Sequence, residues 1–84
     1  MGTKPRDKPK HLPTKLLAIR KHLRLSQSEI AWRINLDLSP ARISEYEHGT
    51  REPSLLTLLA YSQLVGIHLE DIVNDKIKLK LMRR

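Results

Sequence analysis

Apolar residues recur at helical spacing through most of the chain. Leu12, Leu16, Ile19 and Leu23 fall three or four positions apart, which is one face of a helix, and Pro13 suits its first turn. Lys15, Arg20, Lys21 and Arg24 are assigned to its other faces. A second helix opens at Ser26. The run Ser26-Gln27-Ser28-Glu29 predicts a capping box, with Ile30, Ala31 and Ile34 as the buried stripe and an end near Asn35. Asn35-Leu36-Asp37-Leu38 breaks the pattern. Ser39-Pro40 restarts it, with Ser39 as N-cap and Pro40 at the first helical position, and Gly49 is the left-handed stop. Pro53-Ser54 opens a fourth helix carrying Leu55, Leu58, Leu59, Ala60, Leu64 and Val65, which ends at Gly66. Ile67, Leu69, Ile72 and Val73 predict a short fifth helix with His68 as a weak cap. Residues 76–82 alternate at period two, more like an edge strand than a helix. The fold class expected is all-α: a compact five-helix domain over residues 12–73, whose short connections make consecutive helices neighbours.

Composition narrows the classes. The chain has 84 residues, a formal net charge of +7 and no cysteine. One small domain is expected, with no disulfides, no thiolate metal site and no cysteine nucleophile. The apolar runs are too short to span a bilayer, and the polar start lacks the apolar core of a secretory leader. A soluble cytoplasmic protein is therefore expected. The charge is uneven: residues 1–11 carry +3, residues 12–73 carry zero and residues 74–84 carry +4. Residues 1–11 read as a disordered basic arm, and residues 74–84 as a basic C-terminal segment. Such tails suit a polyanion, nucleic acid first, or serve only as solvated ends. His11, His22 and His68 show no paired ligand spacing, so no metal is expected. No nucleophile elbow or glycine-rich phosphate loop is present, so neither catalysis nor a cofactor has a motif behind it.

The informative stretch is helix two, turn and helix three. Ala31 is small where two helices must cross closely, and Ile34 and Ile43 anchor the turn. Helix three then has one apolar side and one side of short polar groups, a shape that fits a DNA major groove. Three blocks carry a resemblance: Leu25-Ser26-Gln27-Ser28-Glu29-Ile30-Ala31, Ile43-Ser44-Glu45-Tyr46-Glu47-His48-Gly49, and Arg51-Glu52-Pro53-Ser54-Leu55. Together they resemble the signature of the lambda-repressor-like (Cro-type, Xre) helix-turn-helix family over residues 12–73. That resemblance implies a five-helix DNA-binding domain. It places Gln27 over a phosphate, turns Pro40, Ala41, Ser44 and Glu45 toward bases, and sets the segment from His48 through Thr50 to Arg51 on the DNA backbone. It also implies a pair between Arg20 of helix one and Glu47 near the end of helix three. Two features depart from the family. The turn between Ala31 and Ile43 is two residues longer, and Asn35 stands where a turn glycine is usual. The groove-facing set also lacks the Gln or Asn that reads adenine by two bonds. Ala41 suits a thymine methyl, Ser44 either kind of partner and Glu45 a cytosine amine, while Arg42 suits a phosphate or a guanine.

Each of these residues also has a structural reading. Gln27 can be a helix-start residue, Arg42 and Arg51 solvated charges, and Glu45 a group repelled by phosphates. His48 suits the negative end of its helix as well as it suits a phosphate. Trp32 is expected to pack against the long turn. The function expected is a sequence-specific regulator of double-stranded DNA, acting as a homodimeric repressor near the nucleoid. The alternative is an antitoxin or adaptor that grips a protein partner with residues 74–84.

Overall fold

The computed structural model describes residues 9–35 and 37–81. The expectation of a disordered arm falls mostly on residues 1–8, and Leu36 and residues 82–84 likewise lie outside the described residues. Five helices follow in order: α1 (Leu12–His22), α2 (Gln27–Ile34), α3 (Pro40–His48), α4 (Leu55–Val65) and α5 (Leu69–Val73). No strand occurs among the described residues.

The helix starts follow the side chains written before them. Ser26 Oγ accepts the Glu29 amide at 3.0 Å, and the Glu29 carboxylate accepts the Ser26 amide at 2.8 Å. The hydrogen bond from the Ser26 backbone N–H is the main cause that holds the Glu29 carboxyl below the usual carboxylate range. Ser39 and Ser54 cap α3 and α4 by accepting the amides of Arg42 and Thr57. Three helices stop alike, with a left-handed residue and a bond spanning five positions. Gly49 ends α3, with the Thr50 amide on the Glu45 carbonyl; Gly66 ends α4, with the Ile67 amide on the Ser62 carbonyl. At the end of α1 the left-handed position falls on Arg24 (φ 58°), with the Leu25 amide on the Arg20 carbonyl. An L-residue pays about 1–2 kcal/mol for this conformation.

One core joins all five helices. Leu12, Leu16 and Ile19 of α1, Ile30 and Ala31 of α2, Ile43 and Tyr46 of α3, Leu58 and Tyr61 of α4 and Ile72 of α5 are buried together. α1 and α2 both pack on α3, so the helix-turn-helix pair is held from behind by the first helix. The buried side of α4 is Leu58, Tyr61 and Ser62, while Leu55 (66% exposed), Leu56 and Leu59 face outward. Most of the leucines that make α4 the most apolar stretch of sequence therefore contribute little to the core.

Lys15 departs from the face assigned to it. It lies on the buried stripe, three residues after Leu12, and is 6% exposed. Its ammonium donates to the carbonyls of Asp71, Asn74 and Ile77 at 2.8–2.9 Å. Those three acceptors use all three of its N–H groups. Nearby, the Asp75 carboxylate accepts the amides of Lys10 and His11. Two clasps thus fasten the chain after α5 to the start of α1. The strand expected over 76–82 does not form in its described part, residues 76–81. Residues 77–81 keep the two-residue alternation, with Leu79 and Leu81 against the helical core and Lys78 and Lys80 exposed, but the core side chains take the place of a partner strand.

Candidate nucleic-acid interface

The junction of α2 and α3 is built on one buried ion pair. Glu47 points inward from α3, its side chain 4% exposed, and accepts from Arg20 Nε at 2.6 Å and Arg20 Nη2 at 3.0 Å. Arg20 also donates through Nη1 to the Leu25 carbonyl, so the same guanidinium fixes the loop leading into α2. Its pKa is raised, first by the hydrogen bond to Glu47, so it stays charged throughout the ordinary pH range. Gln27, at the first turn of α2, donates its side-chain amide to Glu47 Oε1 at 3.1 Å. That leaves Gln27 one N–H and its amide oxygen for an outside partner. α1, α2 and α3 are thus locked in mutual register by three side chains.

The other side of α3 faces solvent. Pro40, Ala41 and His48 are exposed, with Ser44 half-buried between them, while Ile43 and Tyr46 are buried on the opposite side. Ser39, the N-cap, stands at the start of this face and is exposed. His48 Nδ1 lies 2.7 Å from the Ser44 carbonyl and 3.3 Å from Ser44 Oγ. A carbonyl only accepts, so Nδ1 carries the proton and the ring closes the last turn of the helix. This is the structural role open to His48, and it leaves Nε2 toward other partners. Thr50 is tied back through its amide and its hydroxyl to the Glu45 carbonyl. The Glu45 carboxylate holds two arginines with one oxygen: Arg42 Nε at 3.1 Å and Arg51 Nε at 3.2 Å. The residues expected at DNA are therefore contiguous. They run from Gln27 at the start of α2, along the exposed side of α3, to the loop at Thr50 and Arg51.

The long turn is organised by Asn35. Its side-chain oxygen accepts the Asp37 amide and its carbonyl accepts the Leu38 amide, while its own backbone is extended (φ −164°). No left-handed residue is needed there, which explains how the position dispenses with glycine. Trp32 does not pack against this turn. It is 68% exposed, because the inward side of α2 is already filled by Ile30, Ala31 and Ile34 and the turn closes on Asn35 instead.

Gln27 as a partner of Glu47 was not foreseen from sequence, although the capping motif had placed it at the right helix end. Tyr61 was also missed. It is fully buried beside the Arg20–Glu47 pair, its hydroxyl has no hydrogen-bond partner among the described residues, and burial pushes its pKa upward. Among the described residues no cluster of three His, Asp or Glu side chains is arranged to hold a metal ion, and no helix is long and apolar enough to cross a membrane.

Comparison with known proteins agrees with this architecture. The helix-turn-helix family model matches residues 16–72, and the chain belongs to that family, in its lambda-repressor-like (Xre) branch. No curated protein sequence matches the chain. Among solved structures, the chain is similar to the P22 c2 repressor protein in complex with synthetic operator 9T. The TM-score is 0.67 at 23% sequence identity, over 76% of this chain and 94% of that one.

Proposed function

We propose that the protein is a sequence-specific, double-stranded DNA-binding transcriptional repressor of the cytoplasm, working at the nucleoid. The observation that carries this reading is the exposed side of α3, made of short side chains and backed by a rigid buried ion pair. Pro40, Ala41 and Ser44 allow the helix to approach bases closely, and the capped start of α3 at Ser39 enters first. Gln27, Arg42, His48, Thr50 and Arg51 flank that face and are proposed to hold phosphates, positioning the helix without reading sequence. The similar repressor is solved with a synthetic operator, which supports the DNA-binding reading.

A homodimer is the form proposed, with one α3 in each of two major-groove segments about 34 Å apart on a pseudo-palindromic site. The exposed leucines of α4, Leu55, Leu56 and Leu59, support a contact on the α4–α5 side. The alternative, an adaptor gripping a protein with residues 74–84, has less support. The apolar side of residues 77–81 is already partly covered by the protein's own core, and Lys15 and Asp75 bind that segment down. Basic groups there are proposed to add phosphate contacts instead.

The test is binding to a selected duplex and to an unrelated one at fixed salt. Arg51→Ala is expected to weaken both by a similar factor. Ser44→Ala is expected to change the preference at one base position, by about 1–3 kcal/mol. If Ser44→Ala leaves every base preference intact, α3 does not read DNA in this register.

A further inference from the structure

The Glu45 carboxylate is the one acidic group on the exposed side of α3 that contacts cations, and it contacts two. Arg42 stands one turn before it and Arg51 lies beyond the end of the helix. Both guanidinium groups meet at the same oxygen, Oε1, at 3.1 and 3.2 Å. The Glu45 carbonyl is used as well, because it receives the Thr50 amide at 3.0 Å and the Thr50 hydroxyl at 3.3 Å. One residue therefore fixes the course of the loop carrying Arg51 and the head groups of both flanking arginines.

We infer that Glu45 is a positioning residue that sets DNA specificity through Arg42 and Arg51, and does so without a base contact of its own. This rests on the DNA-binding reading above. Each guanidinium has five N–H groups, and Glu45 engages one Nε–H of each. The Nη groups remain available, so both arginines can donate to phosphates while still held by Glu45. They do so only where the phosphates lie at the spacing that Glu45 imposes. On a duplex engaged out of register, an arginine must leave the carboxylate to reach a phosphate, and the freed carboxylate then faces the polyanion unpaired. The carboxylate thus penalises loose electrostatic association and spares the docked complex. It also lowers the charge of the trio from +2 to +1, which reduces the sequence-independent part of binding. The trio is about half exposed, with side-chain exposures of 42%, 43% and 50% for Arg42, Glu45 and Arg51. Its effect on stability is therefore small, and its effect on binding a polyanion is the one to measure.

The test compares wild type, Glu45→Gln, Arg42→Ala/Arg51→Ala and the triple variant. Each is titrated by fluorescence anisotropy onto a selected site and a scrambled duplex over a range of salt. Glu45→Gln is expected to bind the scrambled duplex several-fold more tightly, with a salt slope steeper by about 0.9 for each arginine released to a new phosphate. The ratio of specific to non-specific affinity should fall, while the preferred base at every position stays the same. Adding Glu45→Gln to the double arginine variant should raise affinity for both duplexes alike, because the carboxylate is then unpaired before the phosphates, and should move neither the slope nor the ratio. A changed base preference at one position, with the salt slope unaltered, would show that Glu45 reads a base and would overturn the inference. So would a Glu45→Gln effect on that ratio which persists without the arginines. Wild type that binds selected and scrambled duplexes alike would overturn the underlying DNA reading itself.

Discussion

Removing Arg20 or Glu47 is expected to be among the most damaging single changes available to this protein. Arg20→Met keeps most of the aliphatic stem but strands the Glu47 carboxylate, 4% exposed, with only the Gln27 amide beside it. Glu47→Met strands the guanidinium, which is 16% exposed and keeps the Leu25 carbonyl. Breaking one partner of a buried pair costs about 3–5 kcal/mol, most of it the burden of the charge left behind. Arg20→Met strands the more buried charge, so it should sit at the upper end and Glu47→Met at the lower. A chain of this length has a total stability of roughly 4–13 kcal/mol. With a urea dependence of about 1 kcal/mol per molar, either variant should lower the unfolding midpoint by roughly 3 M or more. Replacing both residues at once leaves no stranded charge, so the double variant should cost clearly less than the sum. The assay is urea unfolding followed by far-ultraviolet circular dichroism. Trp32 fluorescence is the poorer probe because that side chain is already 68% exposed when folded. If both single variants lose less than about 0.5 kcal/mol, or if the double variant equals the sum, the pair does not bind α1 to α3 as argued.

Arg24→Gly should stabilise the protein by about 1 kcal/mol in the same urea assay, because it relieves a left-handed L-residue at the end of α1; a loss of stability would show that the Arg24 side chain matters more than its backbone. Lys15→Met should cost about 2–4 kcal/mol, since three carbonyls lose a charged donor; amide hydrogen exchange should show residues 74–81 opening first, and unchanged protection there would contradict the clasp. On the acid side, Glu29 and Asp75 titrate below their ordinary values because backbone amides of Ser26, and of Lys10 and His11, hold the charged forms. Their contribution is present above the unfolded carboxylate value of about 4 and is lost as pH falls through the depressed folded values. Stability should therefore drop below about pH 4, and Glu29→Gln should flatten part of that drop; an unchanged acid limb would refute the assignment.

The helices were legible because each is announced by a local device. Ser26 with Glu29, Ser39 with Pro40, Ser54, Gly49 and Gly66 act within a few residues of where they are written, so their effect needs no knowledge of the rest of the chain. The Arg20–Glu47 pair lies 27 positions apart, and only the resemblance to a family pattern could suggest it. Lys15 shows the reverse failure. Its three-residue spacing from Leu12 marks it as inward-facing, yet a lysine reads as a surface residue unless a set of free carbonyls is known to await it. Those carbonyls come from the end of α5 and the turn after it, some sixty positions away. Residues 76–81 misled for a related reason. A period of two requires an extended chain with one covered side, but does not say whether a strand or a helical core covers it. In α4 leucines occupy both sides, so periodicity could not choose between them, and Tyr61 and Leu58 took the core. The Glu45 trio was hidden because Arg51 follows Gly49, and the direction of a loop after a left-handed residue is a tertiary matter.

The exposed side of α3 is proposed to read a defined DNA sequence. This is tested most directly by selecting bound duplexes from a random pool at a stated salt concentration near physiological. Wild type is run beside a variant carrying Ala41→Arg and Ser44→Arg, which puts two long side chains on the groove-facing side. Wild type is expected to enrich one site with two related half-sites about one helical turn apart, bound at least 10³-fold more tightly than the starting pool. The variant should retain weak, salt-sensitive binding and enrich a different sequence or none. If wild type enriches no sequence, or if both proteins enrich the same site equally, α3 is not the reading element and the account is wrong.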